Sequence, residues 1–219
     1  MRPLRASRLH RFFHAGDEEV QALRDVSLEL DGGELVAITG PSGSGKSTLV
    51  ACLCGLDEPD GGTVWVADER LSRRGEGRRA ALRARHVGLL LQGGNLVRHL
   101  TVEENVELAQ RLAGRSDRRH RTQLLERLAI AERARSLPGQ LSGGETARAG
   151  LAVAVANHPA VLLADEPTGE VDSDNEVRVI DLLREEARRG SAVLVASHSD
   201  AVAGAADRVL RLRDGSLLP

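Results

Sequence analysis

The chain has 219 residues, 41% of them hydrophobic, enough for one large or two small domains with a real core. A formal net charge of -2 and a pI near 6.4 exclude a nucleic-acid binder that relies on a broad basic field. Aromatic residues make up 1% and tyrosine is absent, which removes the stacking platforms of a single-strand binder.

The N-terminal MRPLRASRLHRFF is basic but has no apolar h-region, so it does not read as a secretion signal. Residues 20–30, VQALRDVSLEL, alternate apolar and polar in their second half and predict a half-buried strand. After an Asp31-Gly32-Gly33 turn, LVAIT at 35–39 is a continuous apolar run, the mark of a strand buried on both faces. GPSGSGKST follows at 40–48, and TLVACLCGL then predicts a helix ending near Gly55 or Asp57. Asp60-Gly61-Gly62 turns into a strand, TVWVA. From about Leu96 to Ala134 apolar residues recur at helical spacing (Val102, Val106, Leu108, Leu112, Leu124, Leu125, Leu128), which predicts a small all-helical insertion. Strand character returns at 161–164 and 192–196, and DRVLRLRDGSLL predicts a strand, an Asp-Gly turn and a strand stub. The richest apolar stretch, LAVAVANHPAVLLA from Leu151, is broken by Asn157, His158 and Pro159, so no membrane span and a cytosolic location are expected.

Cys52 and Cys54 could be a redox pair or half a metal site, but a lone C-x-C in a helix reads better as two small buried hydrophobes. The arginine-rich stretches 73–85 and 115–121 could meet anionic lipid heads; with acidic neighbours and little net charge they read better as a solvated face.

Buried strands alternating with helices imply a mostly parallel sheet covered on both faces, which binds ligands beyond the carboxyl ends of its strands. The loops after Thr39, Ala164 and Ala196 are therefore the informative ones. The first holds Gly40, Pro41, Ser42, Gly43, Ser44, Gly45, Lys46, Ser47 and Thr48, a match to G-x-x-x-x-G-K-[ST] between a predicted strand and a predicted helix. Its glycines let backbone N–H groups turn inward around a phosphate chain, and the helix points its N-terminus at the same anion. Lys46 is the sole lysine in a chain that uses arginine for every other basic side chain. A narrow phosphate loop takes a compact ammonium and not a planar fork. Asp165 ends the second buried strand, where a carboxylate can hold Mg²⁺ with the Ser47 hydroxyl; Glu166, next in line, is placed to orient or deprotonate a water.

At Leu141-Ser142-Gly143-Gly144-Glu145 the sequence resembles the signature of ABC-type ATPases, and the other family elements occur in order. Gln92 looks like the Q-loop glutamine, Asp165-Glu166 the extended Walker B, Val171-Asp172 the D-loop and His198 the switch histidine. Phe13, three residues before Gly16, resembles the aromatic that stacks on adenine, with Phe12 as a fallback. The surrounding text (ALRDVSLEL, LTVEENVEL, LPGQLSGGE, DEPTGEVD) is most similar to the lipoprotein-release and macrolide-export branch.

The resemblance implies an α/β fold: one ABC ATPase domain over residues 1–219, with a P-loop NTPase core, a mostly parallel sheet, an N-terminal antiparallel β subdomain and a helical subdomain inserted over about 95–157. It implies an ATPase with ATP and Mg²⁺ as cofactors, Mg²⁺ held by Ser47, Asp165 and Gln92, and Glu166, His198, Lys46 and Gln92 catalytic. The 141–145 signature, a helix start without a lysine, would close over ATP held by a second subunit, homomeric or heteromeric, with Asp172 beside it. The implied partner is a membrane permease on the cytoplasmic face, with no nucleic acid. A soluble ABC ATPase of another kind is the rival, weakened because the Gln92–Ser142 span is too short for a long coiled coil. A hydrolysis-impaired regulatory module is a second rival, which the intact Glu166 opposes. Three departures stand out: Glu145 replaces the commoner glutamine, Val153 stands where an arginine is usual although Arg148 is kept, and Glu170 replaces an asparagine.

Overall fold

The computed structural model describes residues 2–15, 18–169 and 171–218. In chain order the strands and helices are β1 Leu4–Ala15, β2 Glu18–Leu30, β3 Leu35–Thr39, α1 Lys46–Leu53, β4 Gly61–Val66, β5 Glu69–Arg70, α2 Glu76–His86, β6 Val87–Leu91, α3 Val102–Leu112, α4 Arg118–Arg127, α5 Gly143–Val155, β7 Val161–Asp165, α6 Ser173–Arg188, β8 Ala192–Ala196, α7 Asp200–Ala205, β9 Arg208–Arg213 and β10 Ser216–Leu217. They form two sheets: an antiparallel one ordered β2-β1-β4-β5, and a larger one ordered β10-β9-β3-β8-β7-β6 that is parallel except for β10.

The apolar runs read from the sequence are the centre of the parallel sheet, and both faces of each are covered. In β7, Leu162 and Ala164 pack with α3, α4, α5 and α6, whereas Val161 and Leu163 pack with α1 and the antiparallel sheet. Alternation along each strand thus divides the core into two layers. Cys52 and Cys54 belong to the second layer, and burial pushes the Cys52 thiol up to about 12, so both behave as small hydrophobes. Most arginines of the two arginine-rich stretches are exposed, in line with a solvated face, while Arg79 pairs with Glu58 and Glu76, Arg83 pairs with Glu76, and the Arg121 guanidinium is buried against Gln110.

Strand register sets the site. Leu91 pairs with Asp165, Asp165 with Ala196, and Ile38 with Ala196, so the carboxyl ends of β6, β7, β8 and β3 lie level. Gln92, Glu166, Ser197 and the loop after Thr39 therefore leave the sheet along one edge.

Candidate active site

The phosphate-type loop runs from the end of β3 into α1. Gly45, the N-cap of α1, has φ 103, and a Cβ there would meet the Ala22 carbonyl oxygen at 2.5 Å, so only glycine fits both the turn and the approach of β2. The start of α1 carries no side-chain cap and no acidic residue in its first turn, which leaves its N–H groups and positive dipole end to an anion. Lys46 is buried (9% exposed), and its Nζ donates to the Gly40 carbonyl at 2.8 Å and the Pro41 carbonyl at 3.3 Å.

Asp165 lies near the Ser47 hydroxyl, and its Oδ1 is buried with no hydrogen-bond partner among the described residues. Burial raises the Asp165 pKa; the Ser47 hydroxyl and Lys46 oppose the rise and the Glu166 charge adds to it. An orphaned, buried carboxylate oxygen beside a hydroxyl fits a hard divalent cation.

Glu166 adopts φ 46, and its N–H donates to the Ala196 carbonyl at 2.8 Å, which pins the start of this turn to β8. Ser197 Oγ donates to Glu166 Oε2 at 3.1 Å, and His198 Nδ1 lies 3.0 Å from both carboxylate oxygens. Because an ionised carboxylate only accepts, Nδ1 is the protonated nitrogen in this arrangement.

A cleft of about 870 Å³ gathers Phe13, the 40–48 loop, Gln92, Glu166 and His198. Of the two phenylalanines it is Phe13 that lines it, while Phe12 is tied through its N–H to Asp60 Oδ2 at 2.7 Å. The Arg11 guanidinium stacks on Phe13, 4.6 Å from the ring centre, and is itself held by Asp57 and Asp60. Leu141, Ser142, Gly143, Gly144, Glu145 and Asp172 are not among the residues described on this cleft. Ser142 caps α5, accepting from the Glu145 N–H at 3.3 Å, while Glu145 Oε2 accepts from the Ser142 N–H at 2.8 Å and Oε1 from Arg133 Nε at 2.9 Å. The Ser142 N–H and Arg133 hold the Glu145 carboxyl below its ordinary range; a capping box forms with glutamate as it would with glutamine, and the departure adds the ion pair with Arg133. Asp172 caps α6 in the same way, accepting from the Asn175 N–H. Glu170 and Gly16 lie outside the described residues.

The sequence did not point to Arg24 and Gln21 on β2, or to Asp214 and Gly215 in the turn before β10, which also line the cleft. The Asp-Gly turn was legible, but nothing in its spacing said that it would fold back beside the phosphate loop.

A protein-family model described as ABC transporter matches residues 23–169. The chain is 43% identical to the lipoprotein-releasing system ATP-binding protein LolD of Gluconobacter oxydans, over 99% of this chain and 95% of that one. It is 41% identical to the macrolide export ATP-binding/permease protein MacB 1 of Yersinia pestis over 96% of its own length, and spans 33% of that relative's. Among solved structures, the dimeric MJ0796 bacterial ABC transporter cassette superposes with a TM-score of 0.91 at 32% identity, covering 99% of this chain and 97% of that one. The same cassette in a dimeric post-hydrolysis state with ADP and Pi gives 0.89 at 33% identity. Fold and site thus define a P-loop ATPase of the ATP-binding-cassette class. The chain belongs to the ABC transporter family.

Proposed function

We propose that this chain is the ATP-hydrolysing subunit of a transporter, driving a separate membrane permease of the lipoprotein-release or macrolide-export kind from the cytoplasmic face. Among the described residues no helix is long and apolar enough to cross a membrane. The helices inserted over about 95–157, between Gln92 and β7, are the proposed coupling element toward that permease.

The observation that carries the reading is the convergence of Lys46, Gln92, Glu166 and His198 on one cleft, with Asp165 held behind Ser47. The adenine stacks on Phe13, which Arg11 holds from one side. The loop N–H groups and the α1 dipole bind the phosphate chain, and Lys46 exchanges the Gly40 and Pro41 carbonyls for β- and γ-phosphate oxygens. Ser47, Asp165 and Gln92 would hold Mg²⁺, which supplies charge neutralisation on the phosphates when bound. Glu166 takes the proton of the attacking water through its carboxylate, and His198, released from Glu166, donates a hydrogen bond to the γ-phosphate. Two copies close head to tail, each placing Ser142, Gly143, Gly144 and the α5 dipole on the other's nucleotide.

Glu166→Gln tests this assignment. The amide keeps the shape and loses the basicity, so steady-state turnover should fall by about 10²-fold or more while MgATP still binds. Loss of nucleotide binding together with turnover would assign Glu166 to the metal or to the scaffold instead.

A further inference from the structure

We infer that Glu176, in the first turn of α6, is a positioning residue for the hydrolytic base. It touches neither the cleft nor Glu166, yet its Oε1 accepts from the Ser199 hydroxyl at 2.7 Å and from the Thr168 hydroxyl at 3.2 Å. Ser199 in turn donates its N–H to Ser197 Oγ at 3.1 Å, and Ser197 Oγ donates to Glu166 Oε2 at 3.1 Å. Each hydroxyl has one hydrogen, which fixes the direction of every bond. Ser197 spends its hydrogen on Glu166 and can only accept from Ser199. Ser199 spends its hydrogen on Glu176, and its lone pairs take the Ala201 and Val202 N–H groups at the start of α7. Two carboxylates thus terminate one chain of bonds, and His198, the other partner of Glu166, sits between its two serines.

The base depends on this support. Glu166 holds φ 46, a left-handed conformation that is unfavourable for a non-glycine residue and persists only where its surroundings over-determine it. Thr168 (7% exposed) has no water to turn to if the acceptor at Glu176 is lost, and Ser199 loses the partner of its hydroxyl hydrogen. With that acceptor gone the Ser199 hydroxyl rotates, and the 197–199 turn that holds both Glu166 and His198 loosens. The neighbouring Asn175 accepts from Arg148 on α5 at 3.1 Å, so consecutive residues of one helical turn reach the LSGGE helix and the shell of the base.

The inference rests on Glu166 being the base, and the experiment separates the two. Steady-state ATPase rates against ATP concentration are measured for the full chain as wild type, Glu176→Ala, Glu176→Gln, Ser197→Ala and Glu166→Gln, with Glu176→Ala also placed in the Glu166→Gln background. Misplacing a catalytic group by a fraction of an ångström to one ångström costs up to about 10²-fold. Glu176→Ala should therefore lose about tenfold in kcat with KM for ATP unchanged within about twofold. Ser197→Ala should show the same split, and it carries the test if Glu176→Ala does not fold. Glu176→Gln keeps an acceptor oxygen and should recover at least half of the wild-type kcat. In the Glu166→Gln background Glu176→Ala should add no further loss, because both act through one group. A wild-type kcat in Glu176→Ala beside an inactive Glu166→Gln would remove the positioning role alone. An equal loss in Glu176→Gln, or an additive loss in the double variant, would also overturn it. An active Glu166→Gln would remove the base assignment and this inference with it.

Discussion

Lys46 is the residue at which one atom's size matters most. Its ammonium donates to two loop carbonyls at 2.8 and 3.3 Å, contacts suited to a compact point charge and not to a planar fork. Lys46→Arg keeps the charge and should nonetheless lose turnover by about 10²–10³-fold, the usual cost of a lost transition-state contact. Retention of more than half the wild-type rate would contradict the steric account. Asp165 makes the opposite case, a residue that costs stability for function. Because burial raises its pKa, the native carboxyl keeps its proton to higher pH than the same group in the unfolded chain. Between those two values the native state binds more protons, so stability falls as pH rises through that window and the cost stays constant above it. Asp165→Asn should therefore unfold at a higher temperature than wild type at neutral pH without nucleotide, each kcal/mol of relief being worth about 2–4 °C in a chain of this size. The gap should close in acid, and Mg²⁺-dependent ATP binding should be lost. Thermal scans over a pH series in chelator check this; a gap that is absent at neutral pH, or that widens in acid, would count against it.

At the scale of elements, the contact of α5 with α6 is a tight constraint. A Cβ on Gly144 would fall 2.3 Å from Asn175 Oδ1, and that side chain cannot swing away freely, since it donates to Asp172 at 2.9 and 3.1 Å and accepts from Arg148. In an open helix, glycine to alanine gains about 1 kcal/mol. Here Gly144→Ala should destabilise by about 1–2 kcal/mol through the lost Asn175 bonds. Adding Asn175→Ala to it should recover most of the alanine gain in chemical denaturation, and a purely additive double variant would contradict the contact. The same scale explains what the sequence could announce. β3, β7 and β8 were legible because strands buried on both faces read as unbroken apolar runs, and the 40–48 loop because its spacing is dictated by one ligand chemistry. β1 was not legible: its Leu4, Ala6 and Leu9 are buried between exposed arginines, and register shifts break the alternation that would have given it away. Arg11 behind Phe13 and Glu176 behind Ser199 were hidden for another reason. Arg11 and Phe13 share one face of β1, a strand that was itself not legible, and Glu176 meets a residue 23 positions away that only the packing of α6 brings near.

For the whole molecule the telling fact is that the described cleft holds the start of α1 and not the 141–145 segment that the sequence marks as a nucleotide contact. The α1 start faces the cleft without a cap, whereas Ser142 at the α5 start is exposed and is not among the cleft residues described. Under the proposed function each chain would carry half of two sites and need a second copy or a close relative to complete them. Specific ATPase activity should rise with protein concentration, and the association should weaken with salt, since it joins charged groups across a seam.

The mass of Glu166→Gln in solution with and without MgATP, by light scattering, tests the central claim most directly. A subunit that binds nucleotide, cannot hydrolyse it and closes over it with a second copy should run at 23.5 kDa alone and at twice that mass with MgATP. Ser142→Arg in the same background, which puts a bulky cation at the α5 start, should bind ATP and stay at the monomer mass. A Glu166→Gln chain that is saturated with MgATP and remains monomeric at micromolar concentration would contradict the composite site as the seat of hydrolysis in this homomer.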